Sequence, residues 1–179
     1  NTIVFDTDDN GIALFDAYDN SLAAQSISFP IEKPAISAIS VFGNRLYAYD
    51  ATLKNIFSFN KTLSGYAGGT PWITEENAKK QDITSIAIDG NIFALASNGT
   101  ITKLFRGAPA DFVQAKVDPP LTSASKIMTS DTLQNLYVLD QTNKRVVVYS
   151  KNGALVRQIF FPDSSIVADI ALSPDEQHL

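Results

Sequence analysis

Four short apolar runs recur along the chain at an almost constant interval. They are TIVFD from Thr2, LYAYD from Leu46, IFALAS from Ile92 and LYVLD from Leu136, with starts 44, 46 and 44 residues apart. A second series follows each run: GIALFDA from Gly11, KNIFSFN from Lys54, GTITKLF from Gly99 and KRVVVYS from Lys144. Its members Ile12, Ile56, Ile101 and Val146 are 44, 45 and 45 positions apart. A third series precedes most of these pairs: AISAISV from Ala35, DITSIAI from Asp82, SASKIMT from Ser123 and VADIALS from Val167. The fourth is the least regular. AAQSISF from Ala23 and LVRQIFF from Leu155 fit it well, whereas PWI (Pro71 to Ile73) and FVQAKV (Phe112 to Val117) are weak counterparts.

Each run is short, rich in β-branched and aromatic residues, and bounded by Gly, Asn, Asp or Pro, which is how strands read in a sequence. In KRVVVYS, Val146 and Val148 face one way and Arg145, Val147 and Tyr149 the other. Helical periodicity is nearly absent. Four strands per unit at a period near 44 residues predict an all-β chain of propeller blades, each four-stranded and antiparallel. Three complete units span 35–75, 82–117 and 123–162; a partial unit lies at 1–30 and another at 167–179, opening on an inner strand at 167–173. The preferred expectation is about four blades of a larger ring of roughly six to eight blades, with SPDEQHL entering a hairpin. A closed four-bladed ring, in which the two partial units complete one blade, is the alternative.

LYVLDQTNKRVVVYSKNGALVRQIFFP, Leu136 to Pro162, resembles the NHL-type propeller repeat: an apolar strand ending in Asp, a polar turn with Asn and Arg, an apolar strand, and a Gly turn before the outer strand. A second resemblance, over 82–107 and 126–156, is to propeller regions attached to PP2C-like phosphatase modules in some bacterial proteins. It implies a catalytic or signalling domain elsewhere in such a protein.

The chemistry-bearing residues are few. With no cysteine and a single histidine, His178, a Ser-His-Asp or Cys-His arrangement and a multi-imidazole zinc site lack their parts. Net charge is −5, which opposes a nucleic-acid partner. No apolar run is long enough to span a bilayer, so no membrane contact is expected. GYAGGT (Gly65 to Thr70) lacks the Lys-Ser/Thr of a phosphate-binding loop and reads as an outer-strand connection. Trp72 and Tyr66, in an irregular stretch, are expected to cap the core, with partner anchoring as the alternative.

DTDDNG, from Asp6, places oxygen-bearing side chains at Asp6, Asp8 and Asn10, like the start of a calcium loop. Positions 9 and 12 of such a loop would be Leu14 and Ala17, which cannot ligate calcium through their side chains. The stretch also aligns without gaps to DATLKN (50–55) and DQTNKR (140–145), which lack the ligand set. It therefore reads as a hairpin turn; no cofactor is expected, with calcium at Asp6, Asp8 and Asn10 the weak exception. Asp89, Asn91, Asp118 and Asp169 are the acids and amide that a calcium-dependent propeller hydrolase or lactonase would use.

In a propeller, turns between second and third strands share one face with the connections between blades. That face is the expected binding surface, for a protein or a small ligand, with Asp6, Asp8, Asp50, Lys54, Asp140, Lys144 and Arg145 as candidate contacts. The expected role is a non-enzymatic interaction or sensing module. A hydrolase or lactonase completed by further blades is one alternative, and a structural spacer is another.

Overall fold

A computed structural model describes residues 2–5, 11–76, 82–162, 166–173, 176 and 178–179. Asp6, Asp8 and Asn10, and with them the calcium question, lie outside the described residues, as does part of SPDEQHL.

The strands follow the repeat. The first unit holds β1 (Thr2–Phe5), β2 (Ile12–Asp16) and β3 (Ser21–Ile27). Blade A holds β4 (Ile36–Phe42), β5 (Arg45–Asp50), β6 (Asn55–Lys61) and β7 (Gly65–Pro71). Blade B holds β8 (Ile83–Ile88), β9 (Ile92–Ala96), β10 (Ile101–Phe105) and β11 (Ala108–Pro109). Blade C holds β12 (Ala124–Met128), β13 (Asn135–Asp140), β14 (Arg145–Ser150) and β15 (Leu155–Phe160). Within each unit, strands pair antiparallel in chain order.

Both faces of each complete blade are buried, which explains why the central strands are apolar at odd and even positions alike. In β5, Leu46 and Ala48 pack with Ile12, Phe57 and Phe59 toward the first unit; Tyr47 and Tyr49 pack with Ile86, Ile88 and Ile92 toward blade B. In β9, Ile92 and Ala94 face blade A, while Phe93 and Leu95 meet Leu136, Val138 and Val147 of blade C. In β14, Val147 and Tyr149 face blade B, and Val146 and Val148 face the other way, as their alternation predicted. These face-to-face layers, rather than a continuous sheet, join blade A to B and B to C.

Three features depart from expectation. GYAGGT is itself the outer strand β7, not a connection. It also meets β3 in a two-residue parallel bridge, Ser26 with Gly65 and Ile27 with Tyr66. The approach requires glycine, since a Cβ at Gly65 would sit 2.0 Å from the Ser26 carbonyl oxygen. Second, FVQAKV is not the outer strand of blade B. A tight turn at Arg106 and Gly107, both at positive φ, brings Ala108–Pro109 back beside β10, and the chain then leaves the blade. Third, 166–173 forms no strand, although Val167, Ile170 and Leu172 cover the outer face of blade C. Tyr66 is buried and Trp72 packs edge-on against Tyr47 at 6.2 Å, so both serve the core.

On the face away from the blade connections, Lys151 of blade C reaches Asp89 of blade B at 3.0 Å. Burial pushes the Asp89 carboxyl up, but the Asn91 backbone N–H and side-chain amide together with Lys151 hold it below its ordinary value. A depressed folded pKa means that the ionised form stabilises the fold. That contribution is complete above the unfolded value, about 3.9, and is lost as pH falls through the lower folded value. Asp89→Asn should therefore lose about 2 kcal/mol at pH 7, with the gap from wild type closing below about pH 4. Urea melts across pH settle this; a gap that stays constant down to pH 2 would contradict the assignment.

Candidate functional site

The turns between second and third strands carry the charged residues singled out in the sequence, and the structure divides them. Asp50 is fully buried. Its Oδ1 accepts from the backbone N–H of Thr52 at 2.9 Å and Leu53 at 2.8 Å, and its Oδ2 from that of Ala35 at 3.0 Å. One carboxylate thus closes the β5–β6 turn and fixes the entry to β4. Asp140 and Arg145 are also fully buried and pair with each other, Nη2 to Oδ2 at 2.9 Å. Arg145 Nε donates to the same Oδ2 at 2.9 Å; Nη1 donates to the Asp118 carbonyl at 3.1 Å and also to Gln158, and Nη2 to the Pro119 carbonyl.

The expectation that Asp50, Asp140 and Arg145 present charge to a partner is therefore corrected. A buried charge needs its hydrogen-bonding capacity met internally, and here it is met by the turn and the blade connection. Asp140 and Arg145 also neutralise each other inside blade C, so neither offers its charge to the surface. Lys54 and Lys144 remain toward the surface, both closing their turns at φ near 49°. Lys54 pairs with Asp82 at 3.0 Å, and the Asp82 hydrogen bond and charge raise its pKa. Asp89 and Asn91 lie in the β8–β9 turn, whereas Asp118 sits in the connection at the other end of the blades, so they form no shared constellation. Asp169 is taken up by Lys126 at 3.1 Å.

The ties between turn and connection recur in each complete blade with different chemistry. In blade A, Asn55 exchanges two hydrogen bonds with the Ile73 backbone, at 3.3 and 3.0 Å. In blade C, Arg145 does the work. In blade B the polar group comes from the connection itself. Gln114 Oε1 accepts from the Ile101 N–H at 2.9 Å, and its Nε2 donates to the Gly99 carbonyl at 3.0 Å. A side-chain amide thus completes the edge of β10 where a fourth strand would have done so. Gly99 allows the connection to pass close, since a Cβ there would lie 2.3 Å from the Leu121 carbonyl oxygen.

Between this turn and the connection lies a groove of about 450 Å³, lined among others by Asn98, Thr100, Gln114, Lys116, Leu121 and Tyr149. A hollow of about 360 Å³ sits at the corresponding place on blade C, with Gln141, Lys144, Phe161, Ile166 and Val167. Both open on the face expected to bind. Of the sequence candidates among the described residues, only Lys144 lines either hollow. Gln114, Lys116 and Tyr149 were not singled out; the one signal was an amide within the apolar run FVQAKV. Among the described residues, no group of three His, Asp or Glu is placed to hold a metal ion.

Strand order and blade packing define the chain as β-propeller blades, and similar solved structures agree. A streptogramin B lyase matches with a TM-score of 0.60 and 15% identity, over 90% of this chain and 51% of that one. Virginiamycin B lyase from Staphylococcus aureus matches with 0.57 and 11%, over 90% of this chain and 55% of that one. A chain of a nidogen/laminin complex matches with 0.58 and 12%, over 88% and 58%. The chain spans about half the length of these structures. No family model matches it, and no curated protein does. No family finding supports the NHL-type resemblance, which is best over Leu136 to Pro162.

Proposed function

We propose that the chain is a non-enzymatic ligand-binding module that uses the face carrying the β5–β6, β9–β10 and β13–β14 turns. The observation that carries this reading is the groove between the β9–β10 turn and the connection into blade C. Its walls are held by the Gln114 and Arg145 ties, so the site is formed before any ligand arrives. Preorganisation of this kind lowers the cost of binding, and the volume falls in the range of small-molecule sites, roughly 300–1,000 Å³. The similar structures include two lyases and a chain of a nidogen/laminin complex, which fits a scaffold that hosts unrelated functions on comparable faces. The single histidine and the separation of Asp89 from Asp118 favour binding over hydrolysis.

A fragment screen read by amide chemical shifts tests the proposal. Hits should perturb residues 98–100 and 114–121. A screen whose hits all fall elsewhere, or that yields none, would remove the assignment of this face.

A further inference from the structure

The first strand of each complete blade lies against the first strand of the next. Ala87 of β8 packs with Ile127 of β12, and Ser37 of β4 donates to the Ile83 carbonyl of β8 at 3.1 Å. Among the described residues, this stack is broken at two places. One is the first unit, whose three strands answer to the second, third and fourth of a blade. Its β1 ends the sheet, paired with β2 alone. Beside that edge lies a hollow of about 360 Å³, lined among others by Ile3, Leu14, Ile39 and Val41, and Val41 is 43% exposed. The other place is VADIALS, 167–173, in which Ile170 repeats Ile39, Ile86 and Ile127 of the inner strands. It lays Val167, Ile170 and Leu172 on blade C, but forms no strand. Its other side, with Ala168, Asp169 and Ala171, is exposed. Ser125 repeats Ser37, yet its Oγ is buried without a partner; the repeat assigns it the Val167 carbonyl once 167–173 is extended.

We infer that the two places complete each other between two copies of this chain: β1 of one copy takes 167–173 of the other as its inner strand. An open strand edge accepts a further strand through its unpaired N–H and C=O groups. The repeat sets the register. Ile170 falls opposite Val4, Ala171 opposite Ile3 and Leu172 opposite Thr2, as Ile39, Ser40 and Val41 oppose Ala48, Tyr47 and Leu46. Ile170 and Leu172 then keep their contacts with their own blade C, and Ala171 turns to Ile39 of the second copy, as Ala87 turns to Ile127. A small side chain suits a hollow already walled by Ile39 and Val41. The arc favours a second copy over the chain's own segment. It superposes, over 90% of its length, on 51% of a larger propeller chain. Along such an arc β1 and 167–173 stand at opposite ends, and the remaining half of the ring is the size of a second copy. None of this depends on the ligand-binding role proposed above.

Because the chain has no cysteine, introduced thiols report the junction without background. Ile3→Cys combined with Ala171→Cys should give a covalent dimer on mild oxidation, since directly opposed strand positions lie roughly 4.5–5.5 Å apart at Cα, within disulfide reach. Neither single variant should cross-link. Sedimentation of the wild-type chain across a concentration series should show a species of twice its mass. Ala171→Arg changes a position exposed in the single copy, so circular dichroism should be unaltered. It should weaken the dimer roughly 10- to 100-fold, because the longer side chain overfills the hollow.

A wild-type chain that stays monomeric throughout overturns the inference. A disulfide formed within one chain also overturns it, because that link marks a four-bladed ring closed on itself. A dimer that forms no cross-link, or that Ala171→Arg leaves unchanged, uses another surface and overturns it as well. Cross-linked species larger than the dimer would rule out closure by two copies. The fragment screen decides the ligand-binding face separately, whichever way these measurements fall.

Discussion

Arg145→Ala should lower stability by about 3–5 kcal/mol, the cost of leaving a buried carboxylate without its partner. Arg145 has no exposed surface and joins Asp140, Asp118, Pro119 and Gln158, so its removal takes the counter-charge from Asp140, which keeps only the Asn143 hydrogen bonds, and the donors from two carbonyls and an amide. At roughly 2–4 °C per kcal/mol for a chain of this size, the melting point should fall by around 10 °C. Asp140→Leu combined with Arg145→Met should recover much of the loss, because apolar pairs of similar volume often replace buried ion pairs without penalty. The connection at 118–121 should loosen in the single variant, and its amides should exchange faster. Urea denaturation with hydrogen exchange reads both effects. A loss below 1 kcal/mol would mean that Arg145 is hydrated in solution and that its role in holding the connection is wrong.

The second large effect is expected at Gly99. Its φ of +83° already disfavours a side chain, and a Cβ would also meet Leu121 at 2.3 Å from its carbonyl oxygen and 2.6 Å from its Cβ. Gly43 offers the natural control. Its φ is +56°, but nothing lies within 4 Å of an added Cβ. Gly43→Ala should therefore cost about 1 kcal/mol, the conformational part alone. Gly99→Ala should cost about 2–4 kcal/mol, because the backbone of the connection must shift as well. That shift moves Leu121, so the amide-shift perturbations expected from fragments at the groove should be lost even where the fold survives. Equal costs at the two positions would show that the connection yields freely, and the groove would then not be a preformed site.

These two residues also show where sequence reasoning reaches its limit. Arg145 was read as a rim contact because it sits in a polar turn beside Asp140, which is how an exposed charge looks in one dimension. What buries it is the connection from blade B, more than 20 positions away in the chain, and no local pattern reports that approach. Gly99 opens a strand run in the sequence and lies in the β9–β10 turn, but its second constraint comes from Leu121 across the blade junction. Tyr149 was placed on the right face of β14 by alternation. Its complete burial depends on which groups of blade B reach it, and that is a fact of packing.

The fourth strand of blade B failed for a related reason. FVQAKV alternates as a strand would, and Phe112, Ala115 and Val117 do pack against the core. Yet Val113 and Ala115 donate to the carbonyls of Asn152 and Gly153 in the next blade, at 3.3 and 2.8 Å. The same apolar pattern serves burial in either arrangement, so pattern could not choose between a strand and a crossing segment.

The repeat near 44 residues, the apolar runs and their turn residues were enough to establish an all-β chain of propeller blades, most of its strands and the shared face of turns and connections. Those are local properties: periodicity records which side chains must leave water, and Gly, Asn and Asp record where the backbone must turn. The burial of Asp50, Asp140, Arg145 and Tyr149 and the groove beside Gln114 came only with the tertiary structure. Each depends on groups from separate blades or their connections, whose meeting is set by face-to-face packing of sheets, and a single strand's sequence carries no record of its neighbour's polar atoms.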